Sequence, residues 1–309
     1  MTHDFLNPSR RDALALAAAG AGALALPGAS LAQAGLLARK IPSTGEMLPC
    51  VGIGTALIFD FENDQAKFSE RAEVLKTLVA GGGRLVDTAP SYGMAEARLG
   101  ELFEATKLRD KIFLATKVRV ADREATINEM KGSFARLKTT RVELMQLHNP
   151  RDPNQDLGLL REWKQQGLCK YLGISSSFDR DYEAVEAIVK KQKPDFLQID
   201  FSMVDRNSEE RVIPAAADAG CAILTNLPFG RGRFFQKVGG KPLPDYAKEI
   251  DATSWAQFAL KWLLGNPAIT AVIPGTDKPQ YMTDNLGAAM GRLPDAAMRK
   301  RMVETFEAL

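Results

Sequence analysis

Apolar residues along this chain fall into short runs, and the runs alternate with longer stretches of helical spacing. Val51-Gly52-Ile53-Gly54-Thr55, Leu85-Val86-Asp87, Ile112-Phe113-Leu114-Ala115-Thr116 and Glu143-Leu144-Met145-Gln146-Leu147 have the length of buried strands. Tyr171 to Ser175, Phe196 to Asp200, Ala222 to Asn226 and Ile269 to Ile273 bring their number to eight. Between strands, Arg71 to Ala80 sets Val74, Leu75, Leu78 and Val79 on one helical face, and Gly81-Gly82-Gly83 ends that helix. Ile127, Met130, Phe134 and Leu137 repeat the spacing. Regular alternation of strand and helix predicts a parallel sheet with helices outside it, class α/β. Eight such units, at about 250 residues for the whole, predict a (β/α)8 TIM barrel. Ahead of the first strand, Arg39 to Pro42 and Met47 to Cys50 flank Ser43-Thr44-Gly45-Glu46, the pattern of a β-hairpin. Nothing Pro- or Ser-rich divides the remainder, so residues 35–309 are read as one barrel domain.

Residues 1–34 read differently. Ser9-Arg10-Arg11-Asp12 precedes an Ala/Leu run from Ala13 to Leu26, too short to span a membrane comfortably, and Ala32-Gln33-Ala34 offers small residues for cleavage. Ala13 to Ala25 has no polar face to turn to water, which an ordinary amphipathic helix would need. The stretch is a twin-arginine export signal by this reading. It places the mature chain, from near Gly35, in a bacterial periplasm with no stable membrane span once the signal is removed.

Composition narrows the rest. The chain is 45% hydrophobic, with 40 basic against 38 acidic residues, enough for a full core and no electrostatic footprint for nucleic acid. Cys50, Cys169 and Cys221 lack CxxC spacing and leave one over, so they are read as buried thiols. One of the two histidines, His3, lies in the export segment, and no metal cluster is visible.

In an α/β barrel, chemistry sits where strands end. Leu85-Val86-Asp87 ends in a carboxylate, a Pro90-containing turn carries Tyr92, and Gly93 to Phe103 opens a helix. The run beginning at Ile112 stops at Lys117, and the run beginning at Glu143 stops at His148. Singly these have ordinary readings: a helix-capping Asp, a packing Tyr, a solvated Lys, a turn His. Together, the tyrosine lies five positions after the aspartate, the lysine 25 after the tyrosine and the histidine 31 after the lysine.

VDTAPSYG with AEARLGE, then FLATK, then LMQLH, resembles the aldo-keto reductases, and the resemblance runs from about Lys40 to about Ala289. It implies that Asp87, Tyr92, Lys117 and His148 form a catalytic tetrad reducing aldehyde or ketone carbonyls with a nicotinamide cofactor. The hairpin would close the bottom of the barrel. Tyr92 is the implied acid. A free phenol, with a pKa of about 10, needs help at neutral pH. Lys117 would lower that pKa, Asp87 would fix Lys117, and His148 would bond the substrate oxygen or share the proton.

By the same resemblance, Gly54 and Thr55 leave room near the nicotinamide, and Ser175, Ser176 and Gln198 hold its carboxamide. Ser176 replaces the family's usual asparagine. Asn226 stands where many members stack a tyrosine on the ring. Pro228, Gly230, Arg231 and Arg233 form the loop that would reach the pyrophosphate. Pro274, Gly275, Thr276 and Lys278 resemble the adenosine-phosphate end, where a helix N-terminus offers N–H groups to a phosphate. Asp284 and Asn285 match the pair facing adenine. Tyr281 occupies a position that is basic in some members; with Lys278 as its substitute, NADP(H) is favoured and NAD(H) is the alternative. The short C-terminus implies an open mouth and tolerant choice of small carbonyl substrates. A monomer is expected.

Two rival enzymes are weaker. A Schiff-base lyase needs Lys117 neutral in an apolar pocket, and Asp87 is expected beside it. A glycosidase needs paired carboxylates across the mouth, which these strand ends do not supply. A nicotinamide-binding sensor with little turnover is the non-catalytic alternative, suggested by Asn226 and by the export signal.

Overall fold

The hairpin comes first: β1 (Ala38–Lys40) and β2 (Met47–Pro49) pair antiparallel in a computed structural model that describes residues 35–119 and 121–309. The expected export signal at residues 1–34 lies outside the described residues. Eight parallel strands follow: β3 (Ile53–Gly54), β4 (Leu85–Asp87), β5 (Phe113–Arg119), β6 (Val142–His148), β7 (Cys169–Ser175), β8 (Phe196–Asp200), β9 (Ala222–Asn226) and β10 (Ile269–Val272). They pair in chain order, and a bridge between Val51 and Val272 joins the two ends of the sheet. That bridge makes the sheet a closed barrel.

Helices follow the strands. They are α1 (Gln65–Ala80), α2 (Ala95–Thr106), α3 (Arg123–Arg136), α4 (Gly158–Gln165), α5 (Tyr182–Gln192), α6 (Asn207–Glu210), α7 (Val212–Asp218), α8 (Arg233–Val238), α9 (Trp255–Leu264), α10 (Pro279–Gly287) and α11 (Ala296–Glu307). α1 begins before the apolar face of Arg71 to Ala80 because Asp64 caps it, accepting from Lys67 N at 3.0 Å. α2 and α3 touch at Gly100, where a Cβ would lie 2.1 Å from the Arg136 carbonyl oxygen. None of the helices among the described residues is long and apolar enough to cross a membrane.

Alternation along each strand decides what enters the barrel. Phe113, Leu144, Tyr171 and Phe196 point inward and form its floor, with ring centroids 5.8 Å apart for Phe113–Tyr171 and 5.3 Å for Tyr171–Phe196. Ile41 and Leu48 of the hairpin join this cluster with no exposed surface, so the hairpin closes the bottom as expected. Glu46, in the turn, accepts from Arg84 at 2.9 Å, Lys170 at 2.7 Å and Tyr171 at 2.6 Å. Burial favours its neutral form, but these bonds and the Arg84 charge outweigh burial and hold the carboxyl at about 2. Residues between the inward positions, such as Val86, Leu114, Met145, Leu172 and Ile223, pack outward in the layer shared with the helices.

Strand bounds depart from expectation at two places that shape the barrel mouth. β5 does not stop at Lys117 but continues through Val118 to Arg119, paired with Leu147 and His148 of β6. Lys117 therefore lies inside the barrel wall rather than at its tip. β3 is only two residues long, and its neighbour lies close at Gly52, where a Cβ would lie 2.6 Å from Leu85 O. The three cysteines are buried thiols without disulfides, pushed up by burial to about 11 for Cys50 and about 12 for Cys169 and Cys221.

Candidate active site

Counting upward in steps of two from the apolar floor leads directly to the polar tier. Leu85 leads to Asp87, Ala115 to Lys117, Leu144 to Gln146 and His148, Gly173 to Ser175, Phe196 to Gln198 and Asp200, and Leu224 to Asn226. Neighbouring strands stagger these side chains around one opening. A cavity of about 550 Å³ sits there, lined by Gly54, Thr55, Asp87, Tyr92, His148, Ser175, Asn226, Pro228, Arg231 and Gly275 among the expected residues.

Lys117 is fully buried and donates to both oxygens of Asp87, at 2.8 and 2.7 Å, and to the Thr88 carbonyl at 2.9 Å. Burial works against its charge, yet Asp87 and the Tyr92 hydroxyl outweigh burial and hold the ammonium above its ordinary value. Lys117 Nζ lies 5.0 Å from the centre of the Tyr92 ring. His148 meets that ring edge-on, with centroids 6.2 Å apart and planes at 84°. The structure thus brings Asp87, Tyr92, Lys117 and His148 together.

Their electrostatics differ from the expectation at one point. Burial pushes the Tyr92 phenol above its ordinary value; Lys117 and Arg231 pull it down and Asp87 adds to the rise. Lys117 therefore limits the rise rather than producing a net fall. Burial also acts on His148, with the Lys117 and Arg119 cations adding to it, and pushes the imidazole down to about 3. A neutral imidazole can donate from one nitrogen and accept at the other.

The turn carrying Tyr92 is held from outside the barrel. Gly93 adopts φ +55° against Asp60, leaving no space for a Cβ, and Asp60 accepts from Met94 N at 2.9 Å. Around the mouth, Leu57, Asn149, Leu227 and Arg231 also adopt positive φ. Non-glycine residues in this region are held there by their surroundings and cluster at functional sites.

Several expected ligand residues are committed elsewhere. Ser176 is buried, donates to Asp181 Oδ2 at 3.0 Å and accepts from Phe178 N, so its hydroxyl is turned from the cavity. Arg233 is paired with Asp205 and donates to the Gly230 carbonyl. Lys278 pairs with Glu70 at 2.7 Å, and Asp284 accepts from Ser254 and Gln257. Gly230 shapes the loop at φ +54°, Pro274 accepts from Gly54 N, and Asn285 is buried in α10. Arg231, by contrast, faces the cavity, and no carboxylate among the described residues pairs with it.

Other residues at the site carry no sequence motif. Ala56, Leu57, Asn149, Phe178, Leu227 and Phe229 line the mouth. Arg71 braces two loops, donating to Ile58 O at 2.8 Å and Asp277 O at 2.6 Å. Gln146 and Asp200 could have been found by counting in twos along their strands.

Fold and site together define a barrel with a buried lysine–carboxylate pair behind a tyrosine at its C-terminal mouth. The chain belongs to the aldo/keto reductase family, whose model matches residues 50–301. A probable aldo-keto reductase of Glycine max is 26% identical over 90% of each chain. Among solved structures, an aldo-keto reductase from Klebsiella pneumoniae in complex with NADPH superposes with a TM-score of 0.71 at 19% identity, covering 85% of this chain and 92% of that one. The thermostable aldo-keto reductase Tm1743 has a TM-score of 0.70 at 27% identity, covering 87% and 99%.

Proposed function

We propose that this chain reduces aldehydes and ketones to alcohols with NADPH, Tyr92 giving the proton to the carbonyl oxygen. The observation that carries the reading is the Lys117–Asp87 pair, buried directly behind a tyrosine that opens on the cavity. Lys117, fixed by Asp87 and the Thr88 carbonyl, favours the phenolate that Tyr92 becomes once its proton has gone. His148, neutral, donates to the carbonyl oxygen and orients it beside Tyr92. NADPH, when bound, supplies the hydride.

Residues present fit such a cofactor. Thr55 Oγ1, Gln198 Oε1, Asn226 Oδ1 and Thr276 Oγ1 are buried without hydrogen-bond partners among the described residues, and Thr55 and Asn226 line the cavity. Unpartnered buried groups are costly, and a polar ligand relieves that cost. Arg231 is the available pyrophosphate contact and replaces the pair expected at Arg231 and Arg233. α10 starts at Pro279 with no side chain capping it, which leaves its N-terminus to the adenosine-phosphate end. NADP(H) is preferred on the analogy of the Klebsiella pneumoniae relative, while the Glu70 partner of Lys278 keeps NAD(H) as the alternative. A charged Lys117 speaks against the Schiff-base reading.

The test is NADPH oxidation with a panel of simple aldehydes and ketones, compared between wild type and Tyr92→Phe. Binding of NADPH without turnover would favour the sensor reading.

His148 adds a pH signature. Its folded value of about 3 lies below the ordinary 6.5, so the neutral form is the stabilised one in the folded chain. Stability from this residue is complete above 6.5 and is lost as pH falls towards 3. Thermal melting should therefore decline across that window more steeply in wild type than in His148→Gln. Turnover should show no histidine limb near neutral pH. A limb that His148→Gln removes would refute the neutral assignment.

We further propose export of the folded chain through the twin-arginine route, on the strength of Arg10-Arg11 and the apolar run behind them. Arg10→Lys with Arg11→Lys should leave the chain in the cytoplasmic fraction of a twin-arginine-competent bacterium. Unchanged periplasmic recovery would exclude that route.

A further inference from the structure

Gln146 is a fully buried glutamine in the barrel interior, opposite Lys117 in the register of β5 and β6. Its Nε2 donates to Asp87 Oδ1 at 3.2 Å, and its Oε1 has no partner among the described residues. On its other side β7 presents Gly173, where a Cβ would lie 3.2 Å from Gln146 Cγ, so a side chain there would crowd the amide.

Packing does not account for this residue. Leucine or methionine would occupy a similar volume without burying an unpartnered amide oxygen, which is destabilising. What a hydrocarbon would not do is donate to Asp87. Among the described residues, the Asp87 carboxylate receives hydrogen bonds from Lys117 and from Gln146.

We infer that Gln146 is a positioning residue: its N–H holds the Asp87 carboxylate towards Lys117 and draws off part of its charge, and so sets the acidity of Tyr92. The inference rests on the reading of Tyr92 as proton donor. Four groups face or act on Tyr92: Lys117 from β5, Asp87 from β4, His148 from β6 and Arg231 from the loop after β9. Lys117 and Arg231 favour the phenolate and Asp87 opposes it. His148 is uncharged at neutral pH and above. A donor on Asp87 weakens the opposing field and frees Lys117 to act on the phenol. Without that donor, Asp87 acts on Tyr92 with its full charge and draws Lys117 to itself. Tyr92 then becomes the weaker acid.

The test is a phenolate titration by difference absorbance, wild type minus Tyr92→Phe, from about pH 8 to about pH 12, repeated in a Gln146→Leu background. The Tyr92 midpoint should rise by about half a pH unit or more, and kcat should fall by up to about threefold for each half unit with KM within about twofold. An unmoved midpoint, whatever happens to kcat or melting temperature, would overturn the inference and leave Gln146 a packing residue. Gln146→Met provides the same readout if the leucine variant does not fold. Failure of both to fold would assign Gln146 to stability and also overturn the inference. Absence of turnover in wild type would sink the proposed function instead, while the titration would still report on Gln146.

Discussion

Tyr92→Phe is expected to lower NADPH-dependent turnover of aldehydes by about a hundredfold or more, the scale of removing a positioned general acid. The substitution deletes one hydroxyl and keeps the ring that meets His148 and lies over Lys117. Packing should survive, so melting temperature and NADPH affinity should stay near wild type. This combination separates chemistry from folding. A variant that retains more than about a tenth of wild-type kcat would remove Tyr92 from the role of acid, because a positioned acid contributes more than that. Loss of NADPH binding would instead mean that the phenol holds the ligand.

Lys117→Met should act first on stability. Asp87 is 2% exposed, and the substitution would leave its carboxylate buried with Gln146 as its remaining donor. Removing one partner of a buried ion pair costs about 3–5 kcal/mol. Urea unfolding should show a loss of that size, and Asp87→Asn combined with Lys117→Met should recover most of it by removing the stranded charge. If the double variant is no more stable than the single one, the pair is not what the lysine sustains. The pH dependence has a definite sign. The folded value of Lys117 is raised above its ordinary 10.5, so its contribution is complete below that value and is lost as pH climbs through the raised one. The lysine should therefore add no pH dependence to stability near neutrality. Both variants should lose turnover.

The strand cores of the barrel were legible because buried parallel strands are short apolar runs separated by helical spacing, and this chain keeps that alternation throughout. β8 and β9 match the expected Phe196–Asp200 and Ala222–Asn226 to the residue. The hairpin was legible from its turn, and its Ile41 and Leu48 became the floor plug once the barrel closed over them. Where β5 ends was not legible. Val118-Arg119 can continue a strand or begin a loop, and pairing with Leu147 and His148 decides for the strand.

Side-chain commitments were the least legible. Ser176, Arg233, Lys278 and Asp284 occupy positions that suit a cofactor, yet each is claimed elsewhere: Ser176 by Asp181 of its own loop, and the other three by Asp205, Glu70, and Ser254 with Gln257 from other segments. Nothing in local spacing tells a lysine which carboxylate the fold will bring to it. Gln146 is the reverse case. Its inward direction follows from counting two back from His148, but its donation to Asp87, 59 residues away in the chain, follows only from the closed sheet.

By itself, then, the sequence determined which segments pair and which side chains point inward, because hydrophobic period and strand alternation are local properties of the chain. It also carried the spacing that sets Asp87, Tyr92, Lys117 and His148 on three neighbouring βα units. Only the tertiary structure decided which polar groups are satisfied and which remain open at the mouth. Burial and hydrogen-bond partnership depend on side chains arriving from distant segments. The same neighbours decide that Tyr92 is a weaker acid than a free phenol and that His148 stays neutral.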